Sequence, residues 1–215
     1  MSKIQNVFFS GGYDSTAFLL ECLIIKKVKV QPIVVKVPFI DGKYFKRSSL
    51  NHEQVSRQNF YTKFKSKYPT LASNLLDEIV YLNETTLDKA TLKVGREAYK
   101  YGYFGREITM HLYLHQVSKD LKVNNIAAIA TKEDKVSEEG KKFLKKYYYF
   151  TTPAMDYSKD DFLSNAKEYG YEEFLYETWS CYHPQPDNTP CEKCGLCRKR
   201  IIESRLKFPK ATLLI

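Results

Sequence analysis

No apolar stretch in this chain approaches the ~20 residues that span a bilayer, and the first residues do not read as a cleavable signal. No membrane partner is expected, and the expected compartment is the cytoplasm. Internal repeats and low-complexity tracts are lacking as well, which argues against a solenoid or a linker-rich protein. Cysteine is scarce over most of the chain: between Cys22 and Cys181 there is none. In a cytosolic setting disulfides are disfavoured, so cysteines that do cluster point to metal.

What is present is an ordinary globular composition. Hydrophobic residues make up 43% and aromatics 14%, which argues against disorder. A length of 215 residues suits one α/β domain with a small appendage, here divided as 1–175 and 176–215. The net charge of +9 comes from lysines spread along the chain, with clusters such as Lys63-Lys65-Lys67 and Lys141-Lys142-Lys145-Lys146. Such a balance permits nucleic-acid binding, but no recognisable RNA-binding motif accompanies it, and clusters of this kind are most often solvated surface.

The most informative segment is Ser10-Gly11-Gly12-Tyr13-Asp14-Ser15-Thr16, between the apolar Val7-Phe8-Phe9 and the helix-like Ala17 to Ile25. Two glycines allow a sharp turn and close approach of the backbone to a ligand, and a helix start directs N–H groups and positive dipole at the same place. An anion fits there. The hydroxyls of Ser10, Ser15 and Thr16 offer further donors, and Asp14 is suited either to cap the helix or to help hold magnesium. The loop lacks the lysine that follows the last glycine of the common nucleotide loop, and it does not match G-x-G-x-x-G. Ser-Gly-Gly-x-Asp-Ser in this setting resembles the PP-loop of the ATP pyrophosphatase families, which bind ATP and release pyrophosphate while transferring AMP. The competing reading is a plain turn with a Ser/Asp cap.

Strand-like segments at 7–9, 28–37, 79–82, 125–130 and 147–151 alternate with helical patterns at 15–26, 52–67, 107–121, 137–146 and 159–169. Alternation of this kind predicts a parallel sheet flanked by helices, Rossmann-like, with ligands bound beyond the carboxyl ends of the strands. Residues 39–51 and 83–105 read as long polar connections and as substrate-side candidates.

Four of the five cysteines stand together as Cys181, Cys191, Cys194 and Cys197, within 17 residues and with Pro190 and Gly195 as turn formers. The spacing is that of a tetrahedral zinc site, with an iron–sulfur cluster as the rival. Four sulfurs leave no open position for water, so the metal is read as structural; zinc binding supplies about 10–16 kcal/mol of apparent free energy, enough to fold a segment poor in apolar residues. Cys22 reads as a small core residue. Glu107, His111 and His115 share the spacing of metal ligands on a helix but lack the adjacent glutamate of H-E-x-x-H, and a packed or surface pair is the preferred reading. His52 has no partner that the sequence identifies.

Taken together, the Ser10–Thr16 loop and Thr178-Trp179-Ser180-Cys181-Tyr182 followed by Cys191, Cys194 and Cys197 resemble the 7-cyano-7-deazaguanine synthase family, QueC, of the queuosine precursor pathway. Gly105-Arg106, Ile126 to Asp134, Thr152-Pro153 and Ser158-Lys159 line up with further elements of that family. The resemblance implies the adenine nucleotide alpha-hydrolase fold and a two-ATP reaction, in which 7-carboxy-7-deazaguanine is adenylated, aminated by ammonia and dehydrated to the nitrile. It also implies that Ser10, Gly11, Gly12, Tyr13, Asp14, Ser15 and Thr16 bind ATP, that Asp14 supports magnesium, and that Arg106 and Lys159 contact phosphate or carboxylate. A homodimer is implied too.

Departures concentrate where the base should be read. Val37-Pro38-Phe39-Ile40 stands in place of the family's Y-x-Q-R-H, Glu107 in place of Asn, and Lys135-Val136-Ser137-Glu138-Glu139 in place of Y-P-D-C. Three alternatives therefore accompany the nitrile synthase: a ligase that passes a deazaguanine acid to a protein or nucleic-acid amine, a tRNA-thiolating enzyme, and a non-enzymatic zinc-stabilised nucleic-acid-binding module. Thiolation would need an activated, accessible thiolate, for which Cys22 is a poor candidate. The binding module would leave the glycine loop without a role.

Overall fold

The computed structural model describes residues 4–36, 48–82, 87–100, 106–123, 125–134 and 136–202. Five parallel strands form one sheet in the order β3-β2-β1-β4-β5. They are β1 (Ile4–Phe8), β2 (Lys29–Lys36), β3 (Ile79–Leu82), β4 (Ile126–Ala127) and β5 (Phe150–Thr151). The helices are α1 (Tyr13–Leu20), α2 (Leu50–Lys67), α3 (Lys89–Lys100), α4 (Arg106–Asp120), α5 (Glu138–Tyr147), α6 (Lys159–Glu168), α7 (Glu172–Tyr176) and α8 (Gly195–Ile202). The expected α/β class, with helices flanking a parallel sheet, is what the chain adopts.

Strand periodicity sorts the core into two layers. Val7 and Phe9 point to one face, where they meet Leu19, Leu20 and Leu23, Phe60 and Phe64 of α2, and Phe162 and Phe174. Phe8, between them, points to the other face and packs with Ile33, Leu112 and Val117 of α4, and Phe143 and Leu144 of α5. Both faces are covered, as an all-parallel sheet requires. Neither apolar cluster draws a residue from beyond Leu175 among the described residues.

Two expectations need correction. The predicted helix 15–26 starts earlier, at Tyr13, and after Leu20 it widens into a π-helical turn over Glu21–Ile25. The segment 83–105, read as a connection for its polar, lysine- and glycine-containing composition, contains α3, with Gly95 inside it. That glycine instead lets two helices touch, since a Cβ there would stand 2.8 Å from Leu112 Cδ1. The other proposed connection lies for the most part, at 39–47, outside the described residues.

After β1 the chain goes to β2 and β3 on one side, whereas β4 and β5 lie on the other. The strand order therefore reverses beside β1, the kind of position where open α/β sheets bind ligands beyond the carboxyl ends of their strands. Ser10 to Asp14 occupies that end of β1. No helix among the described residues is long and apolar enough to cross a membrane.

Candidate functional site

Gly11 has φ +79°, a left-handed conformation that costs a non-glycine residue energy, and a Cβ on it would meet Arg57 Cγ and Glu53 O, each at 3.0 Å. The turn is therefore held against α2. Ser56 Oγ donates to Gly11 O at 2.9 Å, and Trp179 N–H donates to the same carbonyl at 3.2 Å. Arg57, almost fully buried, completes this support through an ion pair with Glu78 at 3.3 Å.

Gly12 is the residue before α1, and no side chain caps the helix. Asp14 lies inside the first turn and does not cap the helix, and no Ser/Asp cap is made. Helix geometry leaves the first-turn N–H groups without intrahelical acceptors, and the macrodipole makes that end positive. The hydroxyls gather beside it: Gly12 N–H donates to Ser10 Oγ at 3.2 Å, Ser10 Oγ and Ser15 Oγ are 3.2 Å apart, and Ser15 Oγ donates to Gly12 O at 3.2 Å. Thr16 is buried, and its Oγ1 has no hydrogen-bond partner among the described residues. Tyr13 turns its ring into the core and donates its hydroxyl to Lys159 O at 3.0 Å, so that its side chain fixes α6 against α1.

Lys159 opens α6, whose N-terminus is fixed by a capping box between Ser158 and Asp161. Its Nζ lies 2.5 Å from Asp14 Oδ1, with the lysine side chain 10% and the aspartate 27% exposed. Burial raises the Asp14 carboxyl above its ordinary range; Lys159 opposes this by charge and hydrogen bond, and Asp134 and Glu133 push it up again. Glu133 also accepts the Lys159 amide at 3.0 Å, while Asp134 Oδ2 accepts Thr131 N–H at 2.7 Å. Beside the helix start the ammonium of Lys159 thus pairs with Asp14, and two further carboxylates lie close enough to act on Asp14 by charge. The sequence offered Ile126 to Asp134 only as a strand and loop, and the two acids could have been singled out by their position just past β4, at the switch point. Arg106 opens α4; its side chain lies outside the described residues.

At the other end of the chain Cys181, Cys191, Cys194 and Cys197 bring their sulfurs within 4.8 Å of one another. Four thiolates about 2.3 Å from one tetrahedral ion stand about 3.8 Å apart, and Cys191 Sγ and Cys197 Sγ are 3.8 Å apart. A cluster of several irons would need its sulfurs spread more widely. Backbone N–H groups of His183 and Cys191 point at Cys181 Sγ, and those of Cys194 and Cys197 at Cys191 Sγ and Cys194 Sγ, all at 3.3–3.4 Å. Such donors favour the thiolate form that binds metal. The cluster could therefore hold one metal ion, and the His183 backbone N–H donates to Cys181 Sγ.

The remaining histidines part company. His111 and His115 are buried against Tyr148, Phe150 and Tyr149, and burial lowers both to about 4, so they stand neutral in the core and the packed reading holds. His52 does have a partner: it stacks on Trp179 with centroids 4.4 Å apart. Cys22 is buried, and burial pushes its thiol up to about 11, which removes it as a nucleophile.

A family profile described as "Queuosine biosynthesis protein QueC" matches residues 5–203, which include both the glycine loop and the cysteine cluster. The chain belongs to that family. No curated protein matches it at significant similarity.

Proposed function

Taking membership of the QueC family as the premise, we propose that this protein is an ATP-dependent carbon–nitrogen ligase that converts 7-carboxy-7-deazaguanine and ammonia into 7-cyano-7-deazaguanine through an acyl adenylate. The observation that carries the adenylation step is the uncapped start of α1 with Ser10 and Ser15 beside it and the Asp14–Lys159 pair at its flank, all at the switch point of the sheet.

A carboxylate is a poor electrophile because its charge is delocalised and its oxygens are poor leaving groups. Attack of one carboxylate oxygen on the α-phosphorus of ATP forms a C–O–P link as the bond to pyrophosphate breaks. Ammonia then attacks the acyl carbon, AMP leaves and the new nitrogen sheds a proton; the amide oxygen repeats the first step with a second ATP, and loss of AMP and of both remaining N–H protons gives the nitrile. What the chain supplies is position and charge. First-turn N–H groups and the serine hydroxyls receive the departing pyrophosphate. Lys159 stands where an ammonium can exchange Asp14 for an α-phosphate oxygen, and Arg106 is the second cationic contact.

Asp14, a hard oxygen donor raised above all by its burial, is the residue that would help to hold magnesium, with Glu133 and Asp134 adding negative charge nearby. Magnesium held there would neutralise phosphate charge. The four sulfurs suit zinc, in a structural role. Incubation with ATP, magnesium, ammonium and 7-carboxy-7-deazaguanine should yield AMP, pyrophosphate and the nitrile by mass spectrometry. ADP and phosphate in their place would overturn the adenylation step, and AMP with an amide as the final product would point to the amide-forming ligase.

A further inference from the structure

One short strap joins the cysteine cluster to the glycine loop. Residues 178–181 run from α7 to the first metal-ligand candidate, and the sole tryptophan of the chain lies in the middle. The Trp179 backbone N–H donates to Gly11 O at 3.2 Å, and a Cβ on Gly12 would stand 3.4 Å from Trp179 O. Its indole Nε1–H donates in the other direction, to Cys181 O at 2.7 Å. The indole face is held by His52, whose Nε2 lies 3.2 Å from Asn188 Oδ1 between the first and second cysteines. On α2, Ser56 Oγ contacts both Gly11 O and, at 3.4 Å, Glu177 O. Ser48 Oγ donates to Tyr182 O at 3.1 Å.

These contacts share a direction. Apart from the indole bond, which stays inside the segment, they link residues 177–188 to the glycine loop or to residues 48–56, and none of that segment belongs to either apolar cluster. Thr178 and Cys181 are buried at its two ends, and between them the strap is held by these polar contacts and the ring stack rather than by either apolar cluster. The cysteine cluster fixes one end of it and the stack with His52 fixes its middle.

We infer that Trp179 is a positioning residue through which metal at Cys181, Cys191, Cys194 and Cys197 sets the geometry of the Ser10–Asp14 loop, so that ATP affinity depends on metal occupancy at a site that ATP does not touch. The inference rests on the ATP-binding reading of that loop. Loss of the metal frees Cys181, and with it the carbonyl that orients the indole. Gly11 O then loses one of its two anchors, while Ser56 keeps the other.

The test uses the full chain loaded with zinc, the same protein stripped by a chelator, and the variants Trp179→Phe and Trp179→Ala. ATP–magnesium affinity is measured by calorimetry, zinc by elemental analysis, and the fluorescence of Trp179 where it is present. Stripping should weaken ATP binding about tenfold, the size expected from losing one stack and one hydrogen bond. Trp179→Ala should keep its zinc and bind ATP as weakly as the stripped protein, with no further loss on stripping. Trp179→Phe, which keeps a ring but not the indole N–H, should fall between; it also serves if the alanine variant does not fold. ATP should shift the emission of loaded wild type and not of stripped wild type. Equal affinity with and without zinc, or losses from stripping and substitution that simply add, would overturn the inference. A loaded wild type that binds no ATP would overturn the ATP reading and this inference with it.

Discussion

Replacing Lys159 with methionine keeps length and volume but removes the charge that faces Asp14. The two side chains are 10% and 27% exposed and meet at 2.5 Å, so the pair is neither free in solvent nor sealed from it. Removing one partner of a fully buried pair costs about 3–5 kcal/mol, whereas exposed pairs contribute less than about 1. An intermediate loss of roughly 2 kcal/mol follows, or about 4–8 °C in Tm for a chain of this size. The pH dependence is the sharper readout. Asp14 is already raised by burial, and without Lys159 it rises further. An acid raised in the folded state holds its proton more tightly there, so its ionised form weighs against the fold above the ordinary 3.8 and the penalty disappears below it. Urea unfolding from pH 4 to 8 should therefore show wild type and Lys159→Met close together at the acid end and parting as pH rises. Asp14→Asn in the Lys159→Met background should recover most of the loss. A gap constant across the range, or no recovery in the double variant, would refute the reasoning and leave Lys159 as a packing residue.

Gly11→Ala should destabilise by about 1–3 kcal/mol, because the residue must keep a positive φ and its Cβ would press on Arg57 and the Glu53 carbonyl; thermal unfolding checks it. His111 and His115 are lowered to about 4 by burial, while the unfolded chain takes up protons near 6.5. Stability should be full above pH 6.5 and fall as pH drops toward 4, and the variant His111→Leu/His115→Leu should show a flatter profile by urea midpoint. Cys194→Ser should lower zinc content and folding yield, and should open residues 178–198 to limited proteolysis. A soluble Cys194→Ser protein with unchanged thermal stability would tell against a structural metal.

The sheet was readable because parallel strands buried on both faces leave apolar runs that stand out, as Val7 to Phe9 and 28–37 do. The loop at β1 was readable for a similar reason: paired glycines before a helix have few other uses. α3 was missed because its segment is polar and contains Gly95, and only the approach of Leu112 explains that glycine as a helix contact. The cysteine set was local and so visible. By contrast, His52 and Trp179 are far apart in sequence, as are Arg57 and Asp14 from the groups that fix them, and local pattern carries no trace of such pairings. Glu133 and Asp134 were hidden among polar loop residues until the fold placed Glu133 on the Lys159 amide and both acids within electrostatic reach of Asp14. The segment expected to read the base, Val37 to Ile40, lies outside the described residues.

The central claim is that the carboxylate is activated by transfer of AMP. Its most direct test follows oxygen. Substrate labelled with ¹⁸O in both carboxylate positions is incubated with ATP, magnesium and ammonium, and the label is traced by mass spectrometry. Each adenylation moves one substrate oxygen onto phosphorus, so the account predicts two AMP per nitrile, each carrying one ¹⁸O. Label appearing in inorganic phosphate or in water, with unlabelled AMP, would contradict it.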